Sequence, residues 1–355
     1  MRWGIILGHA KNDEDSALET LGEFQMSSVY RTTALAVMAG LMATSALADE
    51  RVMRIATSVP DQHYLTVSIA KFAEKVTERT EGRIKFEIYP AQSLATDQQM
   101  EQAVASGMAD IGIASASIVA GTVPAFNIFA VPFLFDTREK IEKTVKSGAP
   151  LRTELEKGLA DTGARPVFWI PYGYIGMVAR DKEVRLPQDV KGMKIRTFGS
   201  IVSQFVEEVG AAPVVTSGGE QFLALQQGMV DAGFTGWFSI QDRQLYDVAK
   251  YAINTDHMWE THFALMSETN WQSLSEDDRR IFSEVGAELE PLLMDEVFNS
   301  QQTLYQSLDD KMTVVQLTEE EKDAWRNATP QMAEKFLKDG DALSRAVYDL
   351  AKDAQ

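Results

Sequence analysis

Short runs of alternating apolar and polar residues are separated by runs in which apolar residues recur at helical spacing. In the first half of the chain the strand-like runs are residues 51–58, 83–89 and 109–114, and the helical runs are residues 64–80 and 96–106. Gly82 and Gly107 directly follow the two helical runs, as glycine C-caps do. This β-α-β-α-β order predicts a mostly parallel sheet covered by helices on both faces.

The same order returns after the middle of the chain. The strand-like runs there are residues 192–198 and 229–234, and the helical runs are residues 200–209 and 220–227. QAVASGMADIGIA, which begins at Gln102, resembles LALQQGMVDAGFT, which begins at Leu223, and their Gly-Met pairs lie 121 residues apart. The repeat favours a duplicated α/β half, with a coincidental or generic helix–strand junction as the alternative. Two such halves predict a two-lobed clamshell that binds its ligand between the lobes, at the carboxyl ends of the strands.

The last third of the chain is helical. Helical periodicity covers residues 276–308, 319–337 and 341–352. The first of these runs either braces both lobes or forms a helical cap on one of them.

Composition narrows the range of functions. The chain has 355 residues, which is ample for a packed core, and a formal net charge of −18. So acidic a chain is a poor match for nucleic acid or anionic lipid, and an anionic ligand would need a local cationic group inside a cleft. The sequence has no cysteine, which excludes disulfides, cysteine-ligated metals, a thiol nucleophile and a lipoprotein anchor.

The segment MSSVYRTTALAVMAGLMATSALA, residues 26–48, has the three parts of a secretory signal. Arg31 supplies the positive region, a short apolar run follows, and Ala46-Leu47-Ala48 is an A-x-A cleavage site. The apolar run is shorter than the roughly 20 residues that a membrane span needs. We therefore expect export to the periplasm with cleavage after Ala48. Residues 1–25 are mixed and acidic, which favours a translation start at Met26.

The segment PQDVKGMKIR, residues 187–196, resembles the P-x-D-x-K-G-x-K-I-R block of TRAP-transporter solute-binding proteins of the dicarboxylate-binding (DctP-like) type. Four further segments match blocks of that family in the same order: TEGRIKFEIYPAQSL (80–94), VPFLF (131–135), GEQFLALQQGMVDA (219–232), and KYAINTDH followed by WQSL (250–257 and 271–274). The resemblance runs from about Val52 to Leu274. Five ordered blocks are more specific than any single motif.

The resemblance implies an α/β fold of the type II-like periplasmic-binding-protein clamshell, with hinge strands that cross between the lobes and a long bracing helix. We expect residues 49–173 with 262–300 in lobe I and residues 174–261 with 301–355 in lobe II. The resemblance also implies capture of a small organic acid, a carboxylate or a sulfonate, and its delivery to the small and large permease subunits in the membrane. We expect a monomer that binds no nucleic acid, needs no cofactor or metal, and catalyses no reaction.

Two other classes of protein stay open. One is the binding protein of an ABC-type importer, which shares the clamshell but lacks the order of the five blocks. The other is a secreted enzyme that acts on a small organic acid. His257 and His262 are five residues apart, which does not match the i, i+4 histidine pair of a helical zinc site, and the sequence has no G-x-S-x-G elbow and no P-loop. We interpret these histidines as structural or as part of the hinge.

Arg196, the last residue of the PQDVKGMKIR block, is the first candidate ligand contact. A planar guanidinium presents parallel N–H donors that match a carboxylate or sulfonate. The arginine that matches this position in the family clamps the ligand carboxylate, so the resemblance implies the same role for Arg196. Without the block, a surface arginine at a strand end would be the default interpretation.

A second basic ligand residue, which many relatives carry upstream of the clamp, has no clear counterpart here. The matching position falls near Gly176, with Tyr172 and Tyr174 close by. Arg180 is a candidate substitute, although it does not match the position.

The chain also departs from the family's pattern after the strand that ends at Asp231. It reads Gly233-Phe234-Thr235-Gly236-Trp237 where many relatives have a Q-E-N-P-like run, so Thr235 replaces the amide ligand and Trp237 lies beside it. The site is therefore expected to be less cationic and more aromatic than a dicarboxylate site. We expect a ligand with one acidic group and an apolar, cationic or aromatic remainder packed on Trp237, Phe198 and a tyrosine.

Candidates in the N-terminal lobe follow the first three strands, in loops where ligand contacts concentrate. They are His63, Tyr64, Gln92, Ser115 and Ser117. The turn Ser217-Gly218-Gly219 opens a helix and could bind an anion, but a plain helix N-terminus is the favoured interpretation.

Overall fold

The computed structural model describes residues 50–354, so the predicted signal at residues 26–48 and the extension before it lie outside the described residues. Asp49–Gln355 forms one compact unit. The described residues contain ten strands: β1 (Arg51–Ala56), β2 (Ile84–Tyr89), β3 (Ile111–Ser115), β4 (Ala164–Ala179), β5 (Lys194–Thr197), β6 (Ala212–Val215), β7 (Ala232–Gly236), β8 (Tyr251–Ile253), β9 (Trp259–Ser267) and β10 (Thr313–Val315).

Thirteen α-helices accompany the strands in the same part of the chain. They are α1 (Tyr64–Arg79), α2 (Met100–Ala105), α3 (Ala116–Val119), α4 (Arg138–Val145), α5 (Pro150–Ala160), α6 (Ser200–Glu208), α7 (Gln221–Gln226), α8 (Trp237–Asp242), α9 (Glu268–Gln272), α10 (Glu276–Asp309), α11 (Glu319–Ala328), α12 (Met332–Asp339) and α13 (Ala342–Asp353). Short 3₁₀ turns cover residues 97–99, 124–130, 187–190 and 245–247. None of the described helices combines the length and the apolar character needed to cross a membrane.

The strands join in the order β2-β1-β3-β9-β4-β7-β5-β6, and β8 pairs with both β4 and β10. The strands within each half, β1 to β3 and β5 to β7, pair in parallel, as the alternation of strands and helices predicted. The central strands β4 and β9 run antiparallel to their neighbours. The fold is therefore mixed α/β, with two parallel groups of strands joined through a shared antiparallel centre.

The shared centre depends on the 16-residue strand β4, which the periodicity did not predict. Its first part, up to Tyr174, pairs with β9, and its second part, from Ile175, pairs with β7. The register shifts between Pro171 and Gly173, and Gly173 has a φ of +107°, a left-handed conformation that suits glycine at a bulge. β4 therefore crosses from one group of strands to the other at this bulge.

The sequence repeat corresponds to a repeated structural unit. Gly107 and Gly228 both have a positive φ and end α2 and α7. Three residues after each glycine, Asp110 and Asp231 make matching contacts: each accepts a backbone N–H of the adjacent strand at 2.8 Å, from Arg54 in β1 or from Lys194 in β5. These matching contacts favour a duplicated half over a coincidence.

The long helix α10 contacts elements of both halves, so the bracing interpretation is confirmed. It has 34 residues, a length of about 51 Å. Near its start, Phe282 packs edge-on against Phe72 of α1 at 5.5 Å between ring centroids. Near its end, Tyr305 packs on Trp237 of α8 at 4.2 Å. Ser275 begins the helix by accepting the N–H of Asp278 at 3.1 Å.

The lobe boundaries stay a prediction, because the described residues form one compact unit. The last helix packs on the other side of the expected division. A Cβ placed on Gly158 of α5 would be 3.9 Å from Cγ of Leu343 in α13, so the last helix packs against an element assigned to lobe I although its own residues were expected in lobe II.

Candidate ligand-binding site

A cavity lies where the carboxyl ends of strands from both halves meet. β1 and β3 end at it from one side, and β5 and β7 end at it from the other. The cavity has a volume of about 60 Å³ and is partly open to solvent. This is the position at which an open α/β sheet binds its ligand.

Arg196 is fixed in the cavity wall by three hydrogen bonds to backbone carbonyls. Its Nε and Nη2 donate to the oxygen of Thr216 at 3.1 and 3.0 Å, and its Nη1 donates to the oxygen of Phe234 at 2.9 Å. The residue is 3% exposed. A guanidinium has five N–H donors, so one N–H on each terminal nitrogen has no hydrogen-bond partner among the described residues. Such a pair of donors suits a carboxylate.

The charge of Arg196 persists despite its burial. Burial lowers the pKa of its guanidinium to about 10; the field of Asp97 opposes this shift and that of Arg243 adds to it. The group is therefore a cation at neutral pH. Its central carbon lies 5.0 Å from the centre of the Phe198 ring, at cation–π distance.

Four other predicted site residues line the same cavity: Ser115, Tyr172, Phe198 and Thr235. Tyr172 is held by its hydroxyl, which is 2.7 Å from Oγ of Ser239. Ser115 accepts the N–H of Ile118 at 3.2 Å and so begins α3. The structure brings these side chains together with Arg196, and their contact with a ligand stays a prediction.

Trp237 and Tyr174 lie elsewhere. Both line a separate groove beside α10, and the ring of Tyr174 packs edge-on against Trp259 at 5.4 Å. The placement of Trp237 differs from the prediction because α8 begins at this residue, and its side chain packs on Tyr305 instead of facing the cavity. The structure therefore does not bring Trp237 to Arg196.

The remaining predicted residues lie beside the cavity and connect elements of the two halves. Tyr64 stacks on Phe238 at 4.5 Å between ring centroids. Nε2 of His63 is 3.1 Å from Oγ of Ser239. The side chain of Gln92 lies against Gly219, where a Cβ would be 2.7 Å from the Gln92 amide carbon. His63 and Tyr64 follow β1 and Gln92 follows β2, so these residues connect the first half of the fold to the second.

Four charged or titratable residues on the cavity wall were not predicted: Asp97, Arg243, Glu260 and His262. Arg243 makes the cavity more cationic than the sequence indicated. Arg180, the candidate second cation, lies beside the start of β7, the end remote from the cavity. Its backbone N–H donates there to the backbone oxygen of Asp231. Glu260 and His262 belong to β9, in the shared antiparallel centre. The hinge interpretation of His262 stays a prediction, and its contact with the cavity was missed.

Glu260 is a buried carboxyl in the cavity wall. It is 2% exposed. Its Oε2 accepts the hydroxyl of Ser117 at 2.6 Å and its Oε1 accepts the N–H of Thr261 at 3.2 Å. Burial raises the pKa of Glu260 to about 7 against the opposing effect of these hydrogen bonds, so a large fraction of this group carries a proton at neutral pH.

The profile of the bacterial extracellular solute-binding proteins, family 7, matches residues 55–339. The chain belongs to this family. The resemblance to TRAP-transporter solute-binding proteins is thereby confirmed. A solute-binding protein of Albidiferax ferrireducens is 31% identical over 231 residues, 64% of this chain and 67% of that protein. An uncharacterized protein of Sinorhizobium fredii is 34% identical over 57% of this chain, and the match spans 37% of that protein's length.

Solved structures share the fold of this solute-binding protein. An extracytoplasmic solute receptor of Bordetella pertussis, described as binding pyroglutamic acid, superposes with a TM-score of 0.80 at 23% identity over 85% of this chain and 99% of that chain. A sugar acid binding protein of Advenella mimigardefordensis, described in complex with galactonate, superposes with a TM-score of 0.81 at 22% identity over 86% and 99% of the two chains. At these identities the likeness shows the two-lobed fold.

Glu260→Gln is expected to change how the stability of this solute-binding protein depends on pH. Between about 4.5, the ordinary pKa of glutamate, and about 7, the folded protein keeps a proton that the unfolded chain has released. Stability contributed by this group therefore falls as pH rises through that window, by about 3 kcal/mol. Urea unfolding at about pH 5 and about pH 8 should show a smaller decline in the variant than in the wild type. Equal declines in both proteins would contradict the prediction.

Gly236→Ala is expected to destabilise the cavity wall by about 1–3 kcal/mol. A Cβ at this position would lie 2.6 Å from Cζ and 2.9 Å from Cδ1 of Tyr172, a ring fixed by its hydrogen bond to Ser239. Gly199→Ala is the matched control, because its Cβ would lie 3.3 Å from Cβ of Ser117. Thermal unfolding should show the larger loss in Gly236→Ala, and similar losses would contradict the steric account.

Proposed function

We propose that this solute-binding protein serves a TRAP-type transporter and captures a small organic acid, a carboxylate or a sulfonate, between its lobes. The observation that carries the proposal is the guanidinium of Arg196. It is buried, it is fixed by Thr216 and Phe234, and it keeps one free N–H on each terminal nitrogen at the wall of the cavity. The acids described with two solved structures of the same fold, pyroglutamic acid and galactonate, support this ligand class.

Contacts across the cavity support enclosure of the ligand by two lobes. The N–H of Gly218, in the second half, donates to Asp97 of the first half at 2.9 Å. The amide of Gln62 donates to the backbone oxygen of Asp242 at 3.3 Å. We propose lobes at the boundaries expected from the sequence, with α13 added to lobe I, and a hinge at the β4 bulge around Gly173. Opening the lobes would break these contacts and expose Arg196.

The protein is proposed to bind the acid without transforming it. The serine–histidine pair nearest the cavity, Ser239 and His63, has the wrong polarity for a nucleophile and its base. Nδ1 of His63 accepts the N–H of Leu65 at 3.1 Å, so the proton of the neutral ring is on Nε2, which then donates to Ser239. Burial lowers the pKa of His63 well below its ordinary value and keeps the ring neutral. This imidazole has no free lone pair to accept the proton of Ser239.

Export and delivery complete the proposal. We propose cleavage of the signal at residues 26–48 after Ala48, which would release the chain from Asp49 into the periplasm as a monomer. The small and large membrane subunits of the transporter would then receive the acid. Extracellular location is a property of the family to which the chain belongs.

A thermal-shift screen of residues 49–355 tests the proposed function. Pyroglutamate, galactonate and succinate are compared with their uncharged amides. An acid present at 100 times its Kd should stabilise the folded protein by about 2.7 kcal/mol, with no effect of the amide. NMR spectra of the mixture after incubation should show the acid unchanged. Turnover of the acid, or stabilisation by the amides alone, would contradict the proposal.

A further inference from the structure

Arg243 is a second guanidinium on the cavity wall, and nothing in the family blocks points to it. It directly follows α8, and its side chain lines the same cavity as Arg196. Its guanidinium makes no hydrogen bond or ion pair with any of the described residues. Burial lowers the pKa of Arg243, and the fields of Tyr172 and Asp97 oppose that shift. A partly buried cation without a partner is costly, and a bound anion would offset that cost.

The turn before α7 makes room for this side chain. A Cβ on Gly218 would lie 2.7 Å from Nη2 of Arg243 and closer still to its Nη1. The φ of Gly218 is not in the left-handed region, so glycine matters here through the space that it leaves for the guanidinium, which a Cβ would displace. The N–H of Gly218 donates to Asp97, which fixes the turn against the opposite lobe.

Arg196 and Arg243 line the same cavity, and their charges interact. The field of Arg243 lowers the pKa of Arg196 and of His262, as like charges do at short range. The two guanidiniums therefore repel each other when the cavity is empty. An acidic group placed between them would relieve the repulsion and would accept hydrogen bonds from both.

The charges of the cavity favour a ligand with a single acidic group. The two guanidiniums share the cavity with Asp97, whose field opposes the lowering of both pKa values, and with the carboxyl of Glu260. His262 is neutral, because burial lowers the pKa of its ring to about 3. With Glu260 protonated, one negative charge on the ligand makes the cavity neutral. A second negative charge would be buried without a partner.

We propose that Arg243 joins Arg196 in binding one acidic group of the ligand, and that Gly218 provides the space from which Arg243 reaches it. This inference rests on the proposed function and adds its second cationic contact. It also selects mono-acids over diacids.

Isothermal titration calorimetry on residues 49–355 tests the inference with pyroglutamate and galactonate, which carry one acidic group each, and with succinate, which carries two. The mono-acid that binds the wild type more tightly is expected to bind Arg243→Gln roughly 10- to 100-fold more weakly, as the loss of charge-assisted hydrogen bonds predicts. Gly218→Ala should reproduce much of this loss with Arg243 still present. Arg180→Gln, which removes an arginine at the far end of β7, should leave the Kd unchanged.

The ligand-free protein separates a binding role from a structural one. Removing one of two repelling cations should keep or raise the melting temperature of Arg243→Gln, whereas loss of a structural contact would lower it. An unchanged Kd in both Arg243→Gln and Gly218→Ala, or a preference of the wild type for succinate over both mono-acids, would overturn the inference. If Arg196→Gln still abolishes binding in that case, the proposed function stands alone. A wild type that binds none of the three acids would overturn both.

Discussion

Arg196→Gln is expected to weaken binding of the ligand acid by roughly 30-fold to several-thousand-fold. The substitution removes one partner of a buried, hydrogen-bonded charge pair, a loss of about 2–5 kcal/mol in binding free energy. The effect is large because the guanidinium is already positioned by Thr216 and Phe234, so little conformational entropy is lost when it binds the acid. Calorimetric titration with the acid selected by the thermal-shift screen measures the change in Kd.

Two further variants make this result specific. Arg196→Lys keeps the charge but loses the planar fork, so it should also bind weakly. Arg180→Gln should bind like the wild type, because the Arg180 side chain lies against Gly228, where a Cβ would be 2.7 Å from its Nη1, and does not line the cavity. Wild-type affinity in both Arg196 variants would exclude Arg196 as the clamp.

Glu290→Ala is expected to reduce the free energy of unfolding by about 3–5 kcal/mol. Glu290 lies in α10 and accepts two hydrogen bonds from Arg152 of α5, at 2.6 and 2.9 Å. Its Oε1 also accepts the N–H of Trp169 in β4 at 2.9 Å. The side chains of Arg152 and Glu290 are only 9% and 15% exposed, so the substitution leaves a buried arginine with one partner fewer. Urea unfolding measures the loss.

The same helix offers a matched control. Glu296 pairs with Lys71 at 3.1 Å, but the two side chains are 40% and 44% exposed. Glu296→Ala should therefore cost less than about 1 kcal/mol. A double variant, Arg152→Met with Glu290→Leu, should recover much of the stability lost in Glu290→Ala, because it removes both charges. Equal losses at Glu290 and Glu296 would contradict the assignment of Glu290 as a buried structural pair.

The sequence predicted the parts of the fold that depend on local periodicity. The strands β1, β2, β3, β5 and β7 follow from apolar spacing, whereas β6 was missed. The repeat around Gly107 and Gly228 corresponds to two units with the same aspartate contacts. β4 was missed because its role is not local. It contains Pro166, Pro171, Gly173 and Gly176, which interrupt a strand pattern. Its pairing changes from β9 to β7 at a bulge that only the assembled sheets define.

The sequence predicted those residues of the cavity that lie at or beside the ends of strands. Arg196, Ser115 and Thr235 lie at or beside strand ends, and the topology alone brings these to one edge. Trp237 lies outside the cavity because it is the first residue of α8, directly after the end of β7. Its side chain therefore packs on Tyr305 of α10. Arg243 could not be predicted, because its approach to the cavity depends on the length of α8 and on the space left by Gly218, and neither leaves a sequence motif.

The central claim is that both lobes enclose an organic acid whose acidic group is bound by Arg196. A crystal structure of residues 49–355 with the acid selected by the thermal-shift screen tests it most directly. We expect the acid inside the cavity, with its oxygens within hydrogen-bond distance of Nη1 and Nη2 of Arg196. An acid bound in the groove beside Trp237, or on the outer surface of either lobe, would contradict the account.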